Sequence, residues 1–95
     1  MSTEDVNTAI DRLLAPSPWV TRDHRATVEA EFSSATIERV NDLMAFACSP
    51  SEIWTRASSL TEAAAQVEPL IRDAHPDLTD RSVELLLDYA CFSWK

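Results

Sequence analysis

The feature that most constrains this chain is that none of its 95 residues is glycine. Tight β-hairpin turns of the primed types depend on glycine, because their central residues adopt positive φ angles. Loops that cradle phosphate groups also depend on it, since the backbone must approach the ligand closely. Helices joined by Ser, Pro, Asp and Asn have no such requirement. The sequence therefore predicts an all-α fold and argues against P-loop or dinucleotide-binding chemistry.

The length of the chain fits one domain with one modest hydrophobic core. Hydrophobic residues make up 45% of the sequence, which is close to the globular average and favours a packed fold over disorder. No internal repeat, linker or low-complexity segment is visible. We expect a single helical domain over residues 1–95.

The spacing of apolar residues predicts a compact, irregular bundle of about five helices. These are expected over residues 3–15, 23–48, 49–58, 59–75 and 80–93. Ser33 and Ser34 lie inside the second range, and the sequence leaves open whether they kink the helix, break it or leave it continuous. Pro69 lies inside the fourth range and predicts a bend or a restart.

Three serine or threonine residues have the spacing of helix N-caps. Ser49 is expected to cap the third helix with Pro50 at its first position, and Ser59 with Glu62 resembles a capping box for the fourth. Thr79 is the expected N-cap of the last helix. Ser2 and Asp5 resemble a capping box for the first helix.

The last helix is apolar on two sides, which is typical of the central helix of a bundle. Val83, Leu86, Leu87, Ala90 and Trp94 form one stripe, and Leu85, Tyr89 and Phe92 form another. The residues predicted to be buried are Val40, Leu43, Leu70, Leu86, Leu87 and Ala90.

Cys48 and Cys91 are the only cysteines, and both lie in apolar helical contexts. We expect two buried free thiols in a reduced, cytoplasmic protein. Residues 1–5 are acidic and lack the apolar segment of a signal peptide, and no apolar run is long enough to span a membrane.

No residue pattern in the chain points to catalysis or to a cofactor. His24, Cys48, His75 and Cys91 could form a ligand set, but no two lie within four residues of each other, as zinc ligands usually do. A Gly-x-Ser-x-Gly nucleophile turn requires the glycine that the chain lacks. We expect no enzyme activity, no cofactor and no bound metal.

The net charge is −8, with 16 acidic residues against 8 Lys and Arg. This balance disfavours nucleic acid and anionic membrane surfaces as partners, because both need cations facing phosphate. It favours a basic protein partner, and it is equally consistent with a surface that is acidic for solubility alone.

The acidic residues of the last helix are the predicted partner-binding residues. Asp80, Glu84 and Asp88 are four residues apart and share one helix face, and Asp73 and Asp77 precede them. Arg81 can pair with Asp77 or Glu84, and no basic residue follows it until Lys95. A solvated helix face is the alternative interpretation.

Two further patterns were candidates for a contact surface. Glu31, Glu38 and Asp42 are predicted to form a second acidic strip along the second helix. Trp19, Trp54 and Trp94 each lie near a helix boundary, where tryptophan either packs into the core or serves as an interface residue.

Residues 65–71, 75–80 and 83–95 together resemble small helical bacterial immunity proteins, which are encoded beside toxins and neutralise them. The shared pattern is an apolar helix, a Pro-x-Leu-Ser/Thr-Asp cap and an aromatic-rich end helix. The resemblance implies a toxin-binding role, without a particular toxin and without any functional residue that can be carried over.

These observations predict a small acidic inhibitor that binds a basic protein, a toxin or a nuclease, as a monomer or weak homo-oligomer. A phage-type inhibitor of a defence nuclease has the same physical properties. An oligomeric helical scaffold or interaction module is the other alternative.

Overall fold

The structure, a computed structural model, describes residues 5–17 and 19–94, and every regular element within them is an α-helix. The helices are α1 (Val6–Leu14), α2 (Arg22–Glu31), α3 (Ser34–Cys48), α4 (Ser51–Arg56), α5 (Leu60–Ala74) and α6 (Asp80–Ser93). The predicted all-α class is confirmed. Asp5 is the N-cap of α1 and accepts a hydrogen bond from the Asn7 N–H; its predicted capping partner, Ser2, lies outside the described residues.

The predicted second helix is two helices, which makes six in the described part of the chain. Phe32 is extended, with φ −129° and ψ 162°, and Ser33 is extended as well, with φ −70° and ψ 158°. The Ser33 hydroxyl accepts a hydrogen bond from the backbone N–H of Thr36 and so caps α3. A serine side chain offers the backbone this alternative to continued helix, so the serine pair breaks the helix.

The expected N-cap at Ser49 is wrong. Ser49 has helical angles, with φ −72° and ψ −29°, and its hydroxyl donates to the carbonyl of Phe46 at 2.9 Å. It therefore ends α3, and its hydroxyl is not available to the next helix. Pro50 takes the N-cap position of α4 without a side-chain hydrogen bond, and the helix begins at Ser51.

The expected N-caps at Ser59 and Thr79 are confirmed. The Ser59 hydroxyl accepts from the Glu62 N–H at 3.1 Å, and the Thr79 hydroxyl accepts from the Ser82 N–H at 3.2 Å. In a capping box, the carboxylate at the third helical position accepts a hydrogen bond from the N–H of the N-cap residue. Here the Glu62 carboxylate instead accepts from the backbone N–H and the hydroxyl of Ser58, the residue before the N-cap. Each cap thus satisfies one of the free N–H groups at its helix start.

Helix α5 is continuous through Pro69, so the helix does not restart there. Leu70 was predicted to be buried, and that prediction is wrong. Proline leaves the carbonyl four residues earlier, at Ala65, without its helical donor. Both Ala65 and Pro69 are exposed, so water can take the place of that donor. The buried stripe of α5 is Ala63, Val67 and Ile71. Leu70 points about 100° away from Ile71 around the helix and is 42% exposed.

Helix α6 packs against α1, α3 and α5. Leu86 and Ala90 are fully buried and Leu87 is nearly so, which confirms the central helix predicted at this end of the chain. Val40 and Leu43 of α3 are buried with them, as expected. The polar side of α6 therefore has a fixed direction, away from these three helices.

Candidate functional site

The acidic residues predicted to bind a partner on α6 are all on its exposed side. Asp80, Glu84 and Asp88 are exposed, and each is turned by about 40° around the helix axis from the one before. Phe92 is the next residue in this series. The row of carboxylates therefore leads from the groove between α5 and α6 to an aromatic group at the end of α6.

The groove between α5 and α6, of about 360 Å³, is acidic. It is lined by Glu68, Arg72, Asp80, Val83, Glu84 and Leu87. The Arg72 guanidinium lies 2.7 Å from Asp80 and 3.0 Å from Glu68, and its hydrogen bonds to Asp80 and then Glu68 raise the pKa of Arg72. Three carboxylates against one guanidinium leave the groove negative. Glu84 makes no ion pair with any described residue.

Asp77 is directed away from this groove. Its carboxylate lies 2.7 Å from the Arg39 guanidinium of α3, and this hydrogen bond lowers the pKa of Asp77 below its ordinary value. Arg81 pairs with Asp11 of α1 at 3.6 Å, so the expected pairing of Arg81 with Asp77 or Glu84 is wrong. The structure therefore separates Asp77, which contacts α3, from Asp80, which contacts α5.

Of the five predicted residues, three make no ion pair within the described parts of the chain. Asp73 is exposed on α5, and Glu84 and Asp88 are exposed on α6. Glu84 and Asp88 lie one helical turn apart on α6, so they are the two adjacent carboxylates of this row that make no ion pair with described residues. We use the name acidic pair for Glu84 and Asp88.

The start of α6 is positioned by Asn7, a residue that the sequence did not single out. The Asn7 side-chain oxygen accepts from the Thr79 N–H at 2.9 Å, and its amide nitrogen donates to the Asp77 carbonyl at 3.3 Å. These bonds join the first turn of α1 to the connection before α6. No local sequence pattern could indicate that this asparagine bonds residues that are 70 and 72 positions away.

An aromatic groove of about 410 Å³ lies at the other end of α6. It is lined by Trp19, Val20, Arg25, Tyr89, Phe92 and Ser93, and we call it the aromatic groove. Trp19 is 64% exposed and Phe92 is 38% exposed, and their rings meet edge to face with centroids 5.4 Å apart. The sequence feature that corresponds to this groove is the second apolar stripe of α6, which begins at buried Leu85 and ends at exposed Phe92.

The other two tryptophans are tied to backbone carbonyls. Trp54 is buried, and its indole N–H donates to Ala47 at 2.9 Å. The Trp94 indole N–H donates to the Cys48 carbonyl at 3.1 Å. Trp54 therefore cannot offer a contact surface, and Trp19 is the most exposed of the three.

The second acidic strip, predicted over Glu31, Glu38 and Asp42, does not lie on one helix. The break at Ser33 places Glu31 on α2, and the other two on α3. Glu31 is paired with the Arg12 guanidinium at 2.7 Å, and this hydrogen bond lowers the pKa of Glu31. Glu38 and Asp42 are exposed, one turn apart on α3.

Cys48 and Cys91 are half-buried free thiols. Burial raises the pKa of both, and the charge of Asp88 raises that of Cys91 further. Within residues 5–17 and 19–94, no cluster of three or more His, Cys, Asp or Glu side chains is placed to hold a metal ion.

The fold and this exposed face define an all-α protein with an acidic last helix that ends in an aromatic groove. None of the helices in the described part is long and apolar enough to cross a membrane. No protein-family model matches the chain, and no match was found among curated proteins or among solved structures.

Proposed function

We propose that this chain is a small acidic protein that binds a basic protein partner and inhibits it, as an immunity protein that neutralises a bacterial toxin. The observation that carries this proposal is the acidic pair: Glu84 and Asp88 are exposed on a well-packed helix and make no ion pair with described residues. Inhibition requires no chemistry, because a protein that covers an active site or a functional surface blocks it.

The distribution of ion pairs supports a role for the acidic pair beyond solubility. Arg12, Arg25, Arg39, Arg72 and Arg81 are each paired with carboxylates elsewhere in the fold. These five arginines, which include Arg72 beside Glu84 in the groove, therefore make their ion pairs with carboxylates other than Glu84 and Asp88. A negative potential on this side of α6 speeds the encounter with a basic surface and fixes its orientation. We expect the protein to act in the cytoplasm, where such a partner would otherwise be toxic.

A phage-type inhibitor of a defence nuclease would use the same charges in the same way. A homo-oligomeric scaffold is the second candidate, and the observation that favours it is the exposed contact between Trp19 and Phe92. Exposed aromatic residues are common at the centre of interfaces. The net charge of −8 opposes this candidate, because two copies repel each other.

The first test asks whether this chain protects cells against the product of the neighbouring gene. The protein encoded by the gene next to this one should arrest growth when expressed alone, and co-expression of this chain should restore growth. The purified pair should form a complex whose association rate falls as salt rises, because exposed charges are screened over about 8–10 Å near physiological ionic strength.

Two double variants of equal net charge then test whether the acidic pair itself, and not the overall charge of the protein, controls the association rate. Glu84→Lys with Asp88→Lys changes the acidic pair, and Glu38→Lys with Asp42→Lys makes the same change one turn apart on α3. Both double variants have a net charge of −4, since each reversal adds two to −8. We expect the α6 variant to associate about tenfold more slowly at low salt, and the α3 variant to change much less. Equal slowing by both variants, or salt-independent association, would contradict the proposal.

A further inference from the structure

We propose that the aromatic groove is the docking site for an arginine side chain of a basic protein partner, stacked on Trp19 with Asp88 as its counter-charge. The inference extends the proposed function, and it rests on that function only in taking the partner to be basic.

The first observation is the exposure of the aromatic pair. Trp19 is 64% exposed although it contacts Phe92, so much of the indole ring is open to solvent. Val20 and Tyr89 continue the apolar wall of the groove. Tryptophan is the aromatic side chain that binds a cation most strongly, and it is enriched among the residues that dominate interface energies.

The second observation is the position of Asp88. It precedes Tyr89 and lies one helical turn before Phe92, and side chains four residues apart on a helix are neighbours. Asp88 does not line the groove itself, but it lies on the exposed side of α6 next to Phe92, and it has no ion pair with a described residue. It supplies a counter-charge for a cation that rests on the aromatic wall.

Arg25 is the one cation that lines the groove, and its charge is already engaged. Its guanidinium donates to the Asn41 side chain of α3 at 2.8 Å and lies 3.8 Å from Glu29. It is therefore held toward α2 and α3 and offset by a carboxylate. The groove keeps an apolar wall, and the unpaired carboxylate nearest to it along α6 is that of Asp88.

An arginine side chain matches both parts of this surface. Its planar guanidinium stacks on an aromatic face while its N–H groups reach a carboxylate, and its aliphatic stem packs against apolar residues. A lysine ammonium is a compact, strongly hydrated charge and does not stack. A second copy of this chain is disfavoured as the occupant, since each copy carries −8.

The test uses an acetylated and amidated pentapeptide of alternating Arg and Ala as the probe. The indole N–H signals of Trp19, Trp54 and Trp94 are followed by nitrogen-15 NMR during the titration. We expect the Trp19 signal to move most, with the backbone signals of Asp88 and Phe92. The same peptide with Lys in place of Arg should bind about two- to fivefold more weakly, and a Gln version should not bind.

Three variants locate the site. Trp19→Ala should weaken binding of the Arg peptide about fivefold and Trp19→Phe less, because phenylalanine keeps a weaker aromatic face. Asp88→Asn should also weaken binding, whereas its matched control Asp42→Asn on α3 should not. Trp19 is exposed, so the thermal midpoint of Trp19→Ala should stay near that of the parent, which separates lost binding from lost folding.

Several results would overturn the inference. One is equal binding of the Arg peptide by the parent and Trp19→Ala. Another is equal binding of the Gln peptide, which would assign the groove to an apolar segment. A Trp19 signal that moves with protein concentration alone would assign it to self-association. A different result would contradict the proposed function alone. Charge reversal at Glu84 and Asp88 would then leave the association rate with the protein partner unchanged, while the Arg peptide would still shift the Trp19 signal.

Discussion

The side-chain oxygen of Asn7 accepts a hydrogen bond from the backbone N–H of Thr79, at 2.9 Å. One asparagine thereby connects the first turn of α1 to the cap of α6, and its amide nitrogen also holds the carbonyl of Asp77. Packing against three helices sets the direction of α6, and Asn7 adds a polar connection that holds its first turn to α1.

Replacing Asn7 by alanine should therefore destabilise the fold. We expect Asn7→Ala to lower the free energy of unfolding by about 1 kcal/mol, the usual net value of an intramolecular hydrogen bond. Urea denaturation followed by circular dichroism measures this change. The control is Thr8→Ala, one residue along and exposed, which should change the free energy by less than about 0.5 kcal/mol. Equal midpoints for the two variants would show that the connection does not stabilise the fold.

The central position of α6 leads to a second prediction, with the same substitution on two helices. Leu87 is 8% exposed in the core and Leu70 is 42% exposed on α5. We expect Leu87→Ala to cost about 2–5 kcal/mol, since it leaves a cavity among packed helices. Leu70→Ala should cost much less, about 0.5–1 kcal/mol, because 42% of its surface stays exposed and its removal leaves no enclosed cavity. Thermal and urea unfolding of the two variants would contradict the assigned core if the costs were similar or reversed.

The ion pair of Asp77 with Arg39 predicts how stability changes with pH. Because the folded pKa of Asp77 lies below its unfolded value, the contribution of this pair is present above the ordinary carboxyl range. It is lost as the pH falls through the folded pKa. Carbon-13 NMR of the Asp77 carboxyl group should give a pKa below the ordinary value in the parent and close to it in Arg39→Ala.

Stability measurements provide the second readout for this pair. The difference in free energy of unfolding between the parent and Asp77→Asn should be largest near neutral pH and should vanish in acid. The control Asp73→Asn removes an exposed carboxylate of α5 that has no ion pair with described residues, and it should show no such dependence. A difference that grows toward low pH would have the wrong sign for this ion pair.

The two thiols should react slowly with iodoacetamide at neutral pH. Burial raises the pKa of Cys48 and Cys91, which lowers the fraction of reactive thiolate, and Asp88 raises the pKa of Cys91 further. We expect Asp88→Asn to speed the alkylation of Cys91 and to leave Cys48 unchanged. Mass spectrometry of peptides after timed labelling gives both rates, with the protein in denaturant as the reference. Equal acceleration at both cysteines would point to a loosened fold and not to a local charge effect.

The features that could be predicted from the sequence are those with local causes. An N-cap bond joins residues three apart, so Ser59 and Thr79 carry their signal in their own neighbourhood. Ser49 has the same local pattern, but its hydroxyl bonds the carbonyl of the preceding helix, and sequence spacing does not show which helix it serves. Leu70 lies at the edge of a broad apolar stripe, and only packing decides which edge is covered.

The same difference between local and long-range causes applies to the candidate site. The shared face of Asp80, Glu84 and Asp88 follows from helical spacing alone. The arginines that engage Asp77 and Asp80, namely Arg39 and Arg72, come from other helices, so the sequence could not separate the paired carboxylates from the unpaired ones. The exposure of Trp19 depends on where the segment before α2 lies against the end of α6, which no local pattern records.

The lack of glycine also determines how this protein can be dissected. No residue in the described ranges has a positive φ angle, so every backbone position there is one that a residue with a Cβ atom adopts without strain. Alanine can replace the side chain at any of those non-proline positions without placing a Cβ atom in a forbidden conformation. An alanine scan of the described chain would then report on side-chain contacts and helix propensity without added backbone strain, and one set of variants would map both the folding energy and the partner surface.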